Sequence, residues 1–153
     1  MSDLLVKLYS LPPAGAHPPG VEVRRGFTAE KRLVCDWVGA HFGAGWASEC
    51  EAAFARLPVA CFVALRQGQL LGFACYDATA RGFFGPTGVA VSERKQGLGL
   101  ALLLAALHDM ASQGYAYAIV GRPESADFYR KHVSAIEIPG SNPGFYEGLM
   151  KQR

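Results

Sequence analysis

The sequence predicts an α/β (α+β) fold of short strands and helices, and three observations carry that expectation. Short runs at 21–25, 59–65, 70–76 and 115–120 have strand character, alternating or continuously apolar. Between them, apolar residues recur at helical spacing over 29–42 and 100–110. Glycines, prolines and polar residues punctuate nearly every boundary. Counted through, the order is β-α-α-β-β-β-α-β-α-β-β.

Each element has its own grounds. Residues 3–9, DLLVKLY, form a short strand or an apolar arm laid against the fold, and the four prolines and two glycines of 12–20 make a loop. Val21-Glu22-Val23-Arg24-Arg25 alternates as a half-buried strand does. Thr28 supplies an N-cap for a helix over about 29–42, with Leu33, Val34, Trp37, Val38 and Phe42 at helical spacing, and Gly43-Ala44-Gly45 stops it. Ser48-Glu49-Cys50-Glu51 has capping-box spacing, so a second helix is expected from there to Leu57, ended by Pro58.

Val59–Leu65 and Leu70–Tyr76 flank Arg66-Gln67-Gly68-Gln69, which makes them a hairpin. A second turn, Asp77–Gly82, returns the chain through Phe83 and Phe84. Leu100, Leu103, Leu104, Leu107 and Met110 give the next helix an apolar face, with Gly114 as its C-cap. Tyr115–Val120 is apolar at almost every position, which predicts a strand covered on both faces. A helix over 125–132, a short strand around 136–138, a turn at 139–144 and a last strand at 145–149 complete the chain.

Bulk properties narrow the function classes. A chain of 153 residues is one domain's worth, so residues 1–153 are expected to form a single domain, with 1–20 an N-terminal strand or arm plus a Pro/Gly-rich loop. Hydrophobic residues at 50% and charged residues at 18% exclude a disordered or membrane-embedded chain. A net charge of +2, with no basic run longer than Arg24-Arg25, argues against a nucleic-acid partner. Cys35, Cys50, Cys61 and Cys75 form no C-x-x-C pair and have no histidines at metal-ligand spacing, so they are expected to be small core residues. No signal peptide or bilayer-length apolar run is visible, and the expected location is cytoplasmic.

One stretch says something specific. In GPTGVAVSERKQGLG, residues 85–99, a strand ending near Val89 enters a polar loop that two glycines, Gly97 and Gly99, connect to a leucine-rich helix. A helix start presents unpaired N–H groups and the positive end of the helix dipole, and both suit phosphate oxygens. Glycines there let a ligand approach the backbone, and Arg94 and Lys95 add positive charge.

Arg94-Lys95-Gln96-Gly97-Leu98-Gly99 resembles the R/Q-x-x-G-x-G/A signature of the GNAT acyltransferase superfamily, with Val89 at the strand-end valine. The order of elements is similar over nearly the whole chain. The resemblance implies the GNAT acyl-CoA N-acyltransferase fold, a mixed central β-sheet flanked by helices, with two central strands splayed apart to admit a thioester arm. It also implies acetyl-CoA as acetyl donor and an amine as acceptor. Thr87, Gly88 and Val89 would pair with the pantetheine through their backbone. Arg94, Lys95, Gln96, Gly97, Leu98 and Gly99 would cradle the pyrophosphate. Tyr129, in Ser125-Ala126-Asp127-Phe128-Tyr129-Arg130-Lys131, is similar to the tyrosine of the family's A-x-x-x-Y-E-K helix, which in many members protonates the departing thiolate. Two departures stand out: Arg122 lies where asparagine is usual, and His132-Val133 replaces Leu-Gly.

No carboxylate lies on the strand beside the expected thioester, so the general base must come from elsewhere or be a water held by backbone carbonyls. Asp77, Glu49, Glu51 and His41 are candidates, and Trp46, Tyr76 and Phe84 are candidate walls of the acceptor pocket. The even charge balance favours a small molecule as acceptor, and members of the family are often homodimers. The alternative reading is a non-catalytic acyl-CoA-binding sensor of the same fold. A dinucleotide fingerprint is excluded because Leu102 occupies the place of its third glycine, and a P-loop because no Gly-Lys-Ser/Thr occurs.

Overall fold

The computed structural model describes residues 1–151. Among these are seven strands: β1 (Leu4–Lys7), β2 (Val21–Arg25), β3 (Cys61–Arg66), β4 (Gln69–Tyr76), β5 (Phe83–Val89), β6 (Tyr117–Val120) and β7 (Ile136–Glu137). Four α-helices join them: α1 (Lys31–Phe42), α2 (Ala44–Phe54), α3 (Leu98–Ser112) and α4 (Ala126–Val133). The strands form one mixed sheet in the order β2-β3-β4-β5-β6-β1-β7, parallel only between β5 and β6.

Successive residues of a strand face opposite ways, and β4 shows what covers each side. Phe73 packs against Trp37 and Phe42 of α1 and Trp46 of α2. A Cβ at neighbouring Gly72 would come within 3.1 Å of Leu102 on α3. Helices α1 and α2 therefore cover one face and α3 the other. The leucines of α3 are buried as its spacing requires, with Leu98, Leu102, Leu103 and Leu107 in the centre of the core.

The middle of the sheet opens. β5 and β6 pair only at Phe83↔Ile119 and Phe84↔Val120. Beyond them β5 bulges at Gly85 and Pro86, since its register against β4 shifts between Tyr76↔Phe84 and Ala74↔Thr87. The bulge exchanges which residues face which neighbour. Before it, Phe83 turns its carbonyl to Asp77 N after the end of β4. After it, Ala90 N donates to Leu71 O at 2.9 Å and Gly88 stands opposite Phe73. Alternation then points the main-chain groups of Thr87 and Val89 away from β4, toward the opening.

Of the two readings of 3–9, the strand is the one found: β1 lies between β6 and β7. Three expectations need correction. The last strand expected at 145–149 is instead a 3₁₀ turn, Phe145–Gly148. β1 already occupies the edge of β6, and the Asp3 carboxylate just before β1 accepts from Phe145 N (3.0 Å) and Arg122 N (3.2 Å), fixing the tail as a turn. The capping box at Ser48 does not start a helix, because Gly43 alone, at φ 105°, reverses the chain and α2 begins at Ala44. Finally, β6 is covered unevenly: Ala118 and Val120 are buried, while Tyr117 is 46% exposed and stacks edge-on with Tyr9.

No helix among the described residues is long and apolar enough to cross a membrane. All four cysteines are buried and unbridged.

Candidate functional site

The loop between β5 and α3 is held from below by a network of side chains. Arg66 of β3 pairs with Glu93 at 2.6 Å and donates to Gln96 Oε1 at 3.2 Å, while Gln96 Nε2 donates to Glu93 at 3.3 Å. The Gln96 side chain thus anchors the loop, leaving its backbone for a ligand. Lys95 and Gly97 take left-handed backbone, φ 66° and 84°, and Gly97 is the N-cap of α3. The first main-chain bond of that helix runs from Ala101 N to Gly97 O at 3.1 Å, so the amides of its first turn are not used within the helix. A Cβ at Gly97 would meet nothing within 4 Å, and one at Gly99 only Val89 Cγ2 at 4.0 Å. Space for an anion lies directly over the helix start. Arg94 folds back so that its Nε donates to Val89 O at 3.1 Å, and Lys95 is an exposed rim charge.

Gly88 has a different reason to be glycine. A Cβ there would clash with the Phe42 ring, so the aromatic group of α1 lies directly on β5. The Thr87 hydroxyl donates to Phe73 O at 3.0 Å and ties β5 to β4, leaving the main chain of Thr87 as its contribution to the opening.

Beside the bulge lies a cleft of about 510 Å³. Trp46, Phe84, Pro86, Tyr146 and Leu149 supply apolar walls, and Ser48, Glu49, Thr79 and Arg122 are its polar groups. Tyr146 donates to Glu49 Oε1 at 2.8 Å and sits 2.9 Å from the Thr79 hydroxyl, while the Arg122 guanidinium lies 5.4 Å over its ring. Burial, with Glu49 adding to it and the Thr79 bond opposing, pushes the Tyr146 hydroxyl up to about 12, so it stays a donor. Arg122 has φ 45°, a left-handed conformation that asparagine adopts more readily than most residues.

Of the candidate bases, only Glu49 reaches this cleft. Asp77 is committed to its turn, accepting from Gly82 N (2.7 Å) and Tyr115 Oη (2.6 Å) and pairing with Arg56 at 3.5 Å. His41 is exposed, stacked on Trp37 with centroids 4.0 Å apart, and Glu51 is exposed on α2. Among the candidate walls, Trp46 and Phe84 line the cleft, but Tyr76 does not. Its hydroxyl bonds Asp109 of α3, which also pairs with Arg25 at 2.6 Å, on the other face of the sheet.

Tyr129 lies on α4, buried, with its ring edge-on to Phe84 and the centroids 6.2 Å apart. Burial, and the charge of Glu124, push its hydroxyl above the ordinary tyrosine range, so it is protonated at neutral pH. Sequence reading missed Tyr146, Thr79 and Arg122 as site residues. Tyr146 and Thr79 are 67 positions apart, and no local pattern connects them.

The sequence profile of the acetyltransferase (GNAT) family matches residues 31–133. A GCN5-related N-acetyltransferase from Sphaerobacter thermophilus superposes with a TM-score of 0.74 at 21% identity, covering 90% of this chain and 48% of its own. A GCN5-related glucosamine N-acetyltransferase region of a fungal multi-domain β-N-acetylglucosaminidase gives 0.69 at 15% identity, covering 90% and 19%. A GNAT-family acetyltransferase from Brucella melitensis, solved in complex with acetyl-CoA, gives 0.51 at 22% identity, covering 72% and 80%. At these identities the likeness is one of fold. The chain spans about half the length, or less, of the first two structures. No curated protein sequence matches it.

Proposed function

The chain belongs to the acetyltransferase (GNAT) family, and from that premise we propose that it moves an acetyl group from acetyl-CoA to the primary amine of a small molecule, by direct attack in a ternary complex. The observation that carries the reading is the placement of two features along β5. Its bulge opens onto a cleft containing a carboxylate, and its far end feeds a glycine-opened helix start suited to a pyrophosphate.

Acetyl-CoA, when bound, supplies an activated thioester. The residues of the chain divide the remaining work. The amides of Gly97, Leu98 and Gly99, with Lys95 and Arg94 beside them and Gln96 bracing the loop, hold the pyrophosphate. Thr87 and Val89 offer main-chain N–H groups toward the opening, one of which donates to the acetyl carbonyl oxygen as charge develops on it, while Gly88 keeps the strand close under Phe42. Glu49 receives the proton that the attacking amine loses, held in place by Tyr146. Tyr129 gives its proton to the departing thiolate.

The dimensions favour a small acceptor. A volume near 510 Å³ suits a metabolite-sized molecule. Apolar walls with one carboxylate favour an amine carried on a compact apolar or hydroxylated body. The test is a panel of small primary amines incubated with acetyl-CoA while free thiol is measured. Amine-dependent thiol release is the expected result. Binding of acetyl-CoA with no release for any amine would instead support the non-catalytic acyl-CoA-binding module.

A further inference from the structure

Three of the four cysteines of the chain meet at one point in the core, and acetyl transfer makes no use of the meeting. Cys35 lies on α1, Cys50 on α2, Cys61 at the start of β3 and Cys75 near the end of β4. The Sγ atoms of Cys50, Cys61 and Cys75 all lie within 4.8 Å of one another. Cys61 and Cys75 are direct partners across the ladder. The adjacent bond from Tyr76 N to Ala60 O makes theirs a non-hydrogen-bonded pair, the kind whose side chains stand closest. Both point to the face covered by α1 and α2, where Cys50 descends onto them and Cys35 approaches Cys50 from the facing helix.

Burial alone is ordinary, since free cysteine packs well as a small apolar residue. Convergence of three thiols from three separate elements, with the fourth nearby, is not explained by packing, because valine or alanine would fill each place. Three thiolates around one ion, each about 2.3 Å from it, stand roughly 4 Å apart, so small side-chain rotations close the observed separation. No imidazole or carboxylate belongs to the group, and an all-sulfur set favours zinc-like cations over magnesium, calcium or manganese.

We propose that Cys50, Cys61 and Cys75 bind Zn²⁺ as thiolates and that Cys35, turned in from α1, closes the site as fourth donor. Each thiol that becomes a ligand releases one proton on binding. With four protein donors no position is left for substrate, so the ion is structural. It ties α1 and α2 to β3 and β4 immediately behind Glu49, the neighbour of Cys50. The proposal does not depend on the acetyl-transfer reading.

The test uses the full chain, reduced and prepared without metal, then refolded anaerobically with Zn²⁺ or with Cd²⁺ as a spectroscopic probe. The expected results are one ion per chain, a sulfur-to-cadmium charge-transfer band, and an unfolding midpoint several degrees above that of the metal-free chain. Reactivity of the four thiols toward a disulfide reagent should fall on loading. A wild-type chain with no such band and the same midpoint with and without metal would overturn the proposal, with no variant needed. In a Cys61→Ala/Cys75→Ala double variant the band should be lost; its persistence would place the ion elsewhere and overturn the assignment equally.

Discussion

The stretch 85–99 and the cleft around Glu49 adjoin the same strand, yet they are assembled in opposite ways. The first is fifteen consecutive residues whose proposed ligand contacts are main-chain amides of a loop and a helix start. The second draws its walls from α2, the turn after β4, the bulge of β5, the end of β6 and the tail, from Gly45 to Leu149. The difference follows from what each would bind. A pyrophosphate is the same in every reaction and is recognised by amides that any sequence provides, given glycine at the right places. An acceptor amine is recognised by particular side chains, and these come from wherever the fold brings chain together.

The contrast can be broken or sharpened by substitution. The largest effect is expected for Gly99→Glu, which places bulk and negative charge over the helix start where its Cβ has open space. Acetyl-CoA affinity should fall more than about 100-fold, the loss of 2.7 kcal/mol or more, while the unfolding midpoint of the ligand-free protein stays unchanged. Next is Tyr129→Phe, which removes one hydroxyl. Turnover should drop about 100-fold, within the usual range for a lost general acid, with acetyl-CoA affinity preserved. Equal rates in the two proteins would take Tyr129 out of the mechanism.

Glu49→Gln acts on the acceptor side alone. The rate with the amine should fall about tenfold or more near neutral pH and recover in part as pH rises toward the amine's own pKa, because the free amine then needs no base. Acetyl-CoA affinity should not move. The smallest effect is expected for Asp3→Ala, which frees the amides of Phe145 and Arg122 and loosens the wall carrying Tyr146. It should raise KM for the amine severalfold with little change in affinity for acetyl-CoA, measured by calorimetry. A matching loss of donor affinity would show that the two sides are not separable.

The same distinction explains what was legible in the sequence. The β3/β4 hairpin, the return through β5, and the loop and helix that follow are contiguous, and their hydrophobic periods and glycines announce them. The far half of the sheet is different. β6 finds its edge partner in β1, more than a hundred residues away, and the tail is turned aside by the Asp3 carboxylate before it can pair. Nothing in the residues 145–149 themselves says that the edge a strand there would need is already taken. In the same way Ser48 and Glu51 have capping-box spacing yet lie inside α2, because the left-handed turn at Gly43 comes first. Gly97, Gly99 and Tyr129 were nameable from local motifs. Tyr146 and Thr79 were not, since only the closed fold brings them to Glu49, and Arg122, singled out only as a departure from the family's asparagine, meets the Tyr146 ring only in the closed fold. The cysteines gave even less away, with spacings that match no ligand motif because Cys50, Cys61 and Cys75 are brought together by three separate elements, not one loop.

The most direct measurement compares the affinities of acetyl-CoA and acetyl-pantetheine, which lacks the pyrophosphate, for the wild-type protein and for Gly99→Glu. The loop and helix start, acting as the proposed pyrophosphate cradle, should make the wild type prefer acetyl-CoA strongly, and Gly99→Glu should erase that preference while binding acetyl-pantetheine as before. Unchanged acetyl-CoA affinity in the variant would contradict the assignment of 94–99 as the coenzyme A loop.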